Sequence, residues 1–477
     1  MSRVSADKAS VMDLLTKEII VGIVCRAEPT LKRVFLAVFL FSLLGLAEQA
    51  SGFQQASGPT SEKSAPSALS APGTDTAAYV PGSSVQHFRE LRFFQLGPVL
   101  FRPSARIHYY YESNLFATPG SNSGTHGVAL EPTLEAFIPL TANGIRLDYS
   151  PTFRDYSNFD LSHKMSHTFN ADSRLDLTPV LNVSVREHFT LASLETSEYV
   201  PARELIFSDA RFKRNSVSTQ LNWALTDSNA VGIIGDWNHV AFEESASSGA
   251  RPFFDYNQYS LGGVYRRDVS PRTGIFVNGT YMRDQADDPR NIASSDGFET
   301  LVGVESQLTP LTSGQLSMGY RALSFDGAKD QNYKGAVIRG SLSKELSETI
   351  RVGVAGTRST NLSNFENNAY YVTHGIGFTY QQMFGPDFLI AVNPGYQRNT
   401  YALPLAPRAG ITADHRVDGL YDLGVAARYR VTDLIGFEAR YDLLHRDSVV
   451  PELRFTNYRA GVSLLIGQRG ITTGRPR

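Results

Sequence analysis

The clearest pattern in the chain is an alternation of apolar and polar residues that recurs between about residues 101 and 467. In the segment IRLDYSPTFR at 145–154, every second residue is apolar and the residues between are polar or charged. The same alternation recurs at 167–177, 421–430 and 437–443. Successive side chains of a β-strand point to opposite sides, so each segment is predicted to be a strand with one apolar and one polar face.

Short clusters of turn-forming residues separate these segments. They are TANG (141–144), TPV (178–180), TDSN (226–229), SPRT (270–273), TPLTS (309–313), LSET (346–349), FGPD (384–387) and VTDL (431–434). Each joins two alternating segments within a few residues, as a tight hairpin does. Longer polar stretches lie between the hairpins, at 113–125, 244–253, 284–295 and 402–414. The connections therefore alternate between short and long.

This asymmetry predicts an all-β fold, a single closed antiparallel transmembrane β-barrel with short periplasmic turns and long outer loops. Eight hairpins, a first strand at about 102–112 and a last strand at about 452–466 give about eighteen strands, with sixteen as the alternative. A closed barrel leaves no backbone group unpaired in lipid, and its apolar faces form the outer band. A secreted soluble β protein or adhesin is the alternative, but nothing obliges its short and long connections to alternate.

The N-terminal region is predicted to contain a targeting sequence. The apolar run 34–47 follows Lys32 and Arg33, as in a secretory signal peptide, and it is shorter than the roughly 20 residues of a spanning helix. An uncleaved anchor is the alternative. The expected organisation is an N-terminal extension plus signal peptide (1–52), a disordered Ser/Pro/Ala-rich periplasmic segment (53–97), the barrel (98–467) and a C-terminal tail (468–477).

Composition narrows the function. Lys and Arg number 45 and Asp and Glu 47, so there is no basic excess for nucleic acid. The single cysteine, Cys25, lies before the predicted cleavage region, which excludes a disulfide framework from the mature chain. Tyrosines near the predicted strand ends suit aromatic girdles at the two membrane interfaces: Tyr109, Tyr111, Tyr156, Tyr265, Tyr281, Tyr320, Tyr370, Tyr371, Tyr380, Tyr396, Tyr441 and Tyr458.

The sequence offers little for catalysis. It contains no Gly-x-Ser-x-Gly elbow, no His-Glu-x-x-His and no phosphate-binding loop. His163 and His167 are four residues apart, which on a strand gives the same face but a wide separation. We therefore predict no enzyme, no catalytic residues, no cofactor and no metal.

The polar faces supply the candidate functional residues. The predicted lumen-facing set is Arg146, Asp148, Arg154, Asp172, Arg174, Arg321, Arg339, Arg428, Arg430, Glu438, Arg440 and Asp442. In a water-filled lumen, an arginine-rich wall would favour anionic solutes. The alternative is that arginines and carboxylates pair across strands and stiffen the wall.

The segment RIHYYYESNLFAT (106–118) carries a family resemblance. Its part from Tyr110 to Ala117 is similar to the D-N-(I/L)-(Y/F) opening of the putative β-barrel porin type 2 family, with Ser113 in place of the acidic residue. The resemblance covers about 98–467. It implies an outer-membrane barrel connected with exopolysaccharide export, and it supplies no catalytic residues.

The sequence thus predicts a porin-like channel in the outer membrane of a Gram-negative-type bacterium, with passive passage of solutes through a polar, arginine-rich lumen. The first alternative is an outer-membrane port or scaffold of an exopolysaccharide secretion assembly. The expected partners are outer-membrane lipid, the barrel-assembly machinery and, for the alternative, polysaccharide-secretion proteins, with no nucleic acid.

Overall fold

The computed structural model describes residues 94–117, 119–120, 124–140, 143–159, 164–193, 211–243, 254–287, 294–363, 368–405 and 414–467. The predicted signal peptide, most of the predicted 53–97 segment and the predicted tail at 468–477 lie outside these residues. Within them, the chain forms one antiparallel sheet of nineteen strands. No helix in this part of the chain is long and apolar enough to cross a membrane.

The strands are β1 (Phe94–Leu96), β2 (Val99–Glu112), β3 (Thr125–Pro139), β4 (Gly144–Tyr156), β5 (Met165–Thr178), β6 (Leu181–Ser193), β7 (Arg211–Thr226), β8 (Asn229–Phe242), β9 (Tyr256–Ser270), β10 (Thr273–Ala286), β11 (Ser295–Thr309), β12 (Thr312–Phe325), β13 (Tyr333–Glu345), β14 (Ile350–Leu362), β15 (Tyr370–Phe384), β16 (Phe388–Pro404), β17 (His415–Arg430), β18 (Ile435–Ser448) and β19 (Phe455–Ile466). Two 3₁₀ turns, Lys329–Gln331 and Pro451–Leu453, precede β13 and β19.

The sheet closes on itself. Each strand from β2 to β19 pairs with the next, and β19 returns to β2 along the register from Arg459↔Glu112 to Ile466↔Ala105. The predicted closed antiparallel barrel of eighteen strands is confirmed. Closure matters because a sheet edge exposed to lipid would leave backbone N–H and C=O groups without partners.

The predicted turns are confirmed as well. All eight clusters, from TANG to VTDL, fall between consecutive strands, and the connections at that end of the barrel are two to four residues long. The connections at the opposite end are six to seventeen residues long. We call these the short-turn end and the long-loop end. A strand begins and stops where Gly, Pro, Asp, Asn, Ser and Thr interrupt the alternation, because these residues favour turns.

The barrel domain starts earlier than expected. Residues 94–97 fall within the segment 53–97 that the sequence predicts to be disordered. Phe94–Leu96 instead forms β1, which pairs with the start of β2 through a two-residue turn. Gly97 has a φ of +60°, which favours glycine, and the Phe94 and Phe101 rings stack at 5.7 Å. The first barrel strand begins at Val99 rather than about 102, and the last at Phe455 rather than about 452.

The outer surface is apolar. Large side chains such as Ile107, Tyr109, Phe153, Phe298 and Val462 are exposed, and they alternate with buried or half-buried polar residues. On a soluble protein such a band would promote aggregation, whereas in lipid it is the required outer surface. Seven of the predicted girdle tyrosines are exposed: Tyr109, Tyr265, Tyr281, Tyr320, Tyr396, Tyr441 and Tyr458.

Two predicted girdle positions are wrong. Tyr156 and Tyr371 are buried, 6% and 0% exposed. Tyr156 packs against Tyr110 and Leu115, and Tyr371 stacks on Tyr401 at 5.1 Å between ring centroids. Both lie where strands approach the long-loop end, so position near a strand end alone did not reveal the face.

Candidate functional site

The polar faces of neighbouring strands are in register, so their side chains meet across the sheet. On β4 and β5, Asp148 accepts a hydrogen bond from Asn170 at 3.1 Å, and Asn170 contacts His188 of β6 at 2.6 Å. On the opposite face of β4, the exposed apolar side chains are Tyr149 and Phe153. The face opposite to the apolar one therefore lines the inside of the barrel and carries most of its polar side chains.

One ionic cluster centres on Glu438 of β18. Its carboxylate accepts from Arg428 of β17 at 2.6 Å and forms an ion pair with Arg106 of β2. Arg106 spans β19 to reach it, and on the way its Nε donates to the Ser463 hydroxyl at 3.1 Å. Glu438 therefore links β17 and β18 to β2 across β19, next to the pair that closes the barrel.

A second cluster centres on Glu299 of β11. Arg321 of β12 and Arg339 of β13 bind its two carboxylate oxygens at 2.5 and 2.9 Å. A third centres on Glu135 of β3, which pairs with Arg102 of β2 and with Arg146 of β4 at 2.6 Å. In all three clusters, two arginines share one glutamate.

The remaining predicted lumen residues form local contacts rather than one site. Their partners lie on the same strand, on a neighbouring strand or in the adjacent turn: Arg154 with Ser166 at 3.3 Å, Asp172 with Arg186 at 3.5 Å, Arg174 with Asp176 at 3.7 Å, Arg430 with Asp387 at 2.7 Å, and Arg440 with Asp442 at 2.7 Å. The structure brings the twelve predicted residues together in pairs and triplets spread around the wall.

In the three clusters, guanidinium groups cover the central carboxylates. The side chains of Glu135, Glu299 and Glu438 are 7, 8 and 2% exposed. Their partners Arg146 and Arg428 are 35 and 22% exposed. Two clusters include a further carboxylate, since Arg146 also lies 3.8 Å from Asp148 and Arg106 lies 4.0 Å from Glu131. By these ion pairs the Glu299 cluster carries a formal charge of +1 and the other two are neutral, but in all three a guanidinium is more exposed than the central glutamate.

A segment missed by the sequence analysis lies inside the barrel at the long-loop end. We call residues 113–117, which follow β2, the inner segment. Leu115, 1% exposed, packs against Tyr110, Ala129 and Tyr156 on β2, β3 and β4. Ala117 packs against residues of β17 and β19 and has a φ of +48°. The inner segment therefore runs along the inner wall from one side of the closing strand pair to the other.

Asn457 of β19 anchors the inner segment. Its Oδ1 accepts from the Asn114 backbone N–H at 2.9 Å and from the Ser113 hydroxyl at 3.2 Å. Its Nδ2 donates to Glu112 at 2.7 Å, and Glu112 also pairs with Arg459. A signal for this contact existed in the sequence, since Leu115, Phe116 and Ala117 are apolar residues at the start of an otherwise polar connection.

The described residues contain no group of three or more His, Cys, Asp or Glu placed to hold a metal ion. His167, one of the two histidines considered above, contacts Tyr149 at 2.5 Å, and its neighbour His163 lies outside the described residues. The geometry therefore adds no candidate metal or catalytic centre to the polar lining.

The part of the chain that forms the barrel matches a known family. The family model described as "Putative beta-barrel porin 2" matches residues 94–467. The chain belongs to this family. The match begins at the first residue of β1 and ends one residue after β19, so it covers the whole barrel of this porin-family protein. The family assignment also identifies it as a porin-like outer-membrane barrel.

Several solved structures are similar to this chain at low identity. The outer membrane protein OpdK from Pseudomonas aeruginosa has 13% identity and a TM-score of 0.42, with 79% of this chain and 100% of that chain covered. OccK2 (OpdF) from the same organism, solved in complex with glucuronate, has 10% identity and a TM-score of 0.43, covering 77% and 98%. The siderophore receptor PirA has 10% identity and a TM-score of 0.39, covering 76% and 80%. No curated protein matches the chain.

Proposed function

We propose that this porin-family barrel is a passive channel whose lumen favours small anionic solutes. The observation that carries the proposal is the arrangement of the three glutamate-centred clusters, in which guanidiniums cover the carboxylates and face the lumen. A solute passing along this wall meets positive charge first. A lining that attracts anions without binding them in a closed pocket is what diffusive passage requires.

The test is the current carried by the purified full chain in a planar bilayer under a KCl gradient. The reversal potential is expected to show a preference for chloride over potassium. Replacing the three lumen-exposed partners together, Arg146→Gln, Arg339→Gln and Arg428→Gln, removes one positive charge from each cluster and is expected to move the reversal potential toward cation selectivity.

Lys164→Gln is the matched control, since it removes a positive charge that does not belong to the lining. Lys164 pairs with Asp155 at 2.8 Å, on the same face of β4 as the exposed Phe153, and both side chains are at least half exposed. This variant is expected to keep the native reversal potential. A native barrel that conducts but prefers potassium would contradict the proposed selectivity.

The second candidate is an outer-membrane port of an exopolysaccharide secretion assembly. The inner segment favours it, because a stretch of chain held across the inner wall narrows the long-loop end and could respond to a partner. A purified barrel that is folded but carries no current would contradict the passive channel. Current that starts when secretion partners are added would support the port.

A further inference from the structure

The wall of the barrel is incomplete between β13 and β14 at the long-loop end. Their register runs from Glu345↔Arg351 only as far as Ile338↔Arg358, although β13 extends to Tyr333 and β14 to Leu362. Each strand keeps its other neighbour to the end, with Leu323↔Tyr333 on one side and Leu362↔Tyr370 on the other. We call this unpaired stretch the seam.

Two arginines replace the backbone ladder in the seam. Continued register would place Ala336 opposite Thr360, but each carbonyl binds a guanidinium instead. Arg358 donates to the Ala336 carbonyl, and Arg321 of β12 donates to the Thr360 carbonyl at 2.9 Å. An unpaired carbonyl inside a membrane is strongly unfavourable, so these contacts let the strands separate.

The separated strands overlap. Tyr370 of β15 shares the outer face with His374 and Ile376, since every second residue of a strand points the same way. Its ring nevertheless contacts Phe325 and Tyr333, at 5.7 and 5.2 Å between centroids, and these two belong to the inner face of β12 and β13. The ends of β14 and β15 therefore lie inside the ends of β12 and β13.

An apolar layer fills the overlap. It consists of Met282, Leu323, Phe325, Ala328, Tyr333, Leu362, Ala369, Tyr370 and Val372. Elsewhere in the barrel, two strands joined by a short turn stay paired close to the long-loop end. For example, β11 and β12 are paired up to Ser295↔Phe325. The seam thus combines a missing ladder with an apolar interior, beside the lipid-facing surface.

A basic row borders the seam on the outer face. Arg358 lies directly opposite His374, and His374 lies directly opposite Arg398 of β16. Opposed basic side chains on adjacent strands are unfavourable unless an anion lies between them. The nearest acidic residue in this register is two strands away from Arg398, on β18. It is Asp447, which forms an ion pair with Arg454 at 3.5 Å.

The height of the row identifies the anion. Tyr396 precedes Arg398 by two residues on the same face and is exposed, and exposed Tyr320 lies directly opposite Ala336 at the mouth of the seam. Exposed tyrosines mark the interface between hydrocarbon and headgroups. The basic row therefore lies at headgroup level, with the apolar layer next to it.

We propose that the seam is a lateral binding site for an anionic lipid of the surrounding leaflet. One hydrocarbon chain displaces side chains of the apolar layer and enters between the overlapping strand ends. The phosphate rests on His374 and Arg398, next to Arg358, whose guanidinium holds the Ala336 carbonyl. The site is separate from passage through the lumen and does not depend on it.

The test measures how close lipid chains come to a fluorophore in the overlap. A bimane label on Leu362→Cys, in the full chain carrying Cys25→Ser, is reconstituted in phosphatidylcholine vesicles with spin-labelled phosphatidylglycerol or spin-labelled phosphatidylcholine. Quenching by spin-labelled phosphatidylglycerol is expected at about five-fold lower concentrations than quenching by spin-labelled phosphatidylcholine. This ratio corresponds to the effect of about one basic side chain at an anionic surface. Val372→Cys supplies a second label position if the first variant does not fold.

Two controls make the result specific. Ala192→Cys carries the label into another buried cluster near the long-loop end, where β6 and β7 remain paired to Ser193↔Arg211, and it is expected to stay unquenched. The double change His374→Gln and Arg398→Gln is expected to abolish the preference for the anionic lipid. Equal quenching by both lipids, equal quenching at the two label positions, no quenching at Leu362, or loss of the preference on adding inorganic phosphate would each overturn the proposal.

Discussion

At the scale of single residues, the inner wall depends on carboxylates that serve more than one arginine. Glu438 is the clearest case, because it is almost fully buried and binds Arg428 and Arg106 at once. A buried charge that loses its partner is strongly destabilising, whereas an exposed ion pair contributes little. The same type of residue pair therefore has different consequences in different parts of the lining.

Glu438→Gln is expected to lower the free energy of unfolding by about 3 kcal/mol, because two guanidiniums lose their shared anion. The measurement is a urea titration of vesicle-inserted protein, followed by tryptophan fluorescence. Asp387→Asn is the control: its pair with Arg430 is 2.7 Å long, but both side chains are more than a quarter exposed, and the loss should stay below about 1 kcal/mol. Equal losses in the two variants would contradict the shared-anion role of Glu438.

At the scale of elements, the two inward features are the inner segment and the overlapped ends of β14 and β15. Both lie at the long-loop end and place apolar side chains inside the wall, as does the separate cluster that contains Ala192, Phe212 and Val240. The Asn457 side chain binds three successive residues at the start of the inner segment, and Ser113 forms two more hydrogen bonds with the backbone of Tyr458. A single substitution at Asn457 is therefore expected to weaken this anchorage.

Asn457→Ala is expected to raise the single-channel conductance, because the inner segment loses the two hydrogen bonds that the Asn457 Oδ1 accepts from Ser113 and Asn114 and is held less firmly in the lumen. The measurement is single-channel recording in a planar bilayer. Asn238→Ala removes an inner-wall asparagine that bonds to Arg214 and Gln258 rather than to the inner segment, and it should leave the conductance at the native value. A native conductance for Asn457→Ala would show that the inner segment does not restrict the lumen.

The sequence predicted the elements well because strand alternation and turn chemistry are local. The eight turns and the eighteen barrel strands follow from residues within one hairpin of each other. The contacts that shape the lumen are not local. Asn114 meets Asn457 from 343 positions away, and Arg106 meets Glu438 from 332 positions away. Which arginine shares which glutamate depends on how the closed strands are staggered, and an alternating pattern carries no information about stagger.

Tyr370 and Tyr371 show the same limit at one place. The alternation puts one of them on each face, and their position near a strand end predicted a girdle for both. Tyr371 is instead buried against Tyr401, and Tyr370 lies in the overlap against Phe325. The separation of β13 from β14 accounts for Tyr370, and it depends on Arg358 and Arg321 reaching carbonyls of other strands. Tyr371 is buried because it lies on the inner face of β15, directly opposite Tyr401.

At the scale of the whole molecule, the closed barrel has an apolar outer face and a largely polar inner face. The apolar side chains are exposed around the outside, as the lipid-facing surface of a membrane barrel requires. The polar side chains contact one another around the lumen. The proposed channel, its proposed preference for anions and the proposed lateral lipid site all depend on this division. If the apolar faces lined the interior and the polar faces met lipid, all three proposals would be wrong.

The most direct measurement is thiol accessibility along four consecutive residues of β17. Single cysteines at Val425, Ala426, Ala427 and Arg428, in a Cys25→Ser background, are treated with a charged, water-soluble methanethiosulfonate after reconstitution in vesicles. Cysteines at 426 and 428 are expected to react and to reduce the current, because they line the water-filled lumen. Cysteines at 425 and 427 are expected to be protected by lipid. Reaction at 425 and 427 with protection at 426 and 428, or equal reaction at all four, would contradict the account.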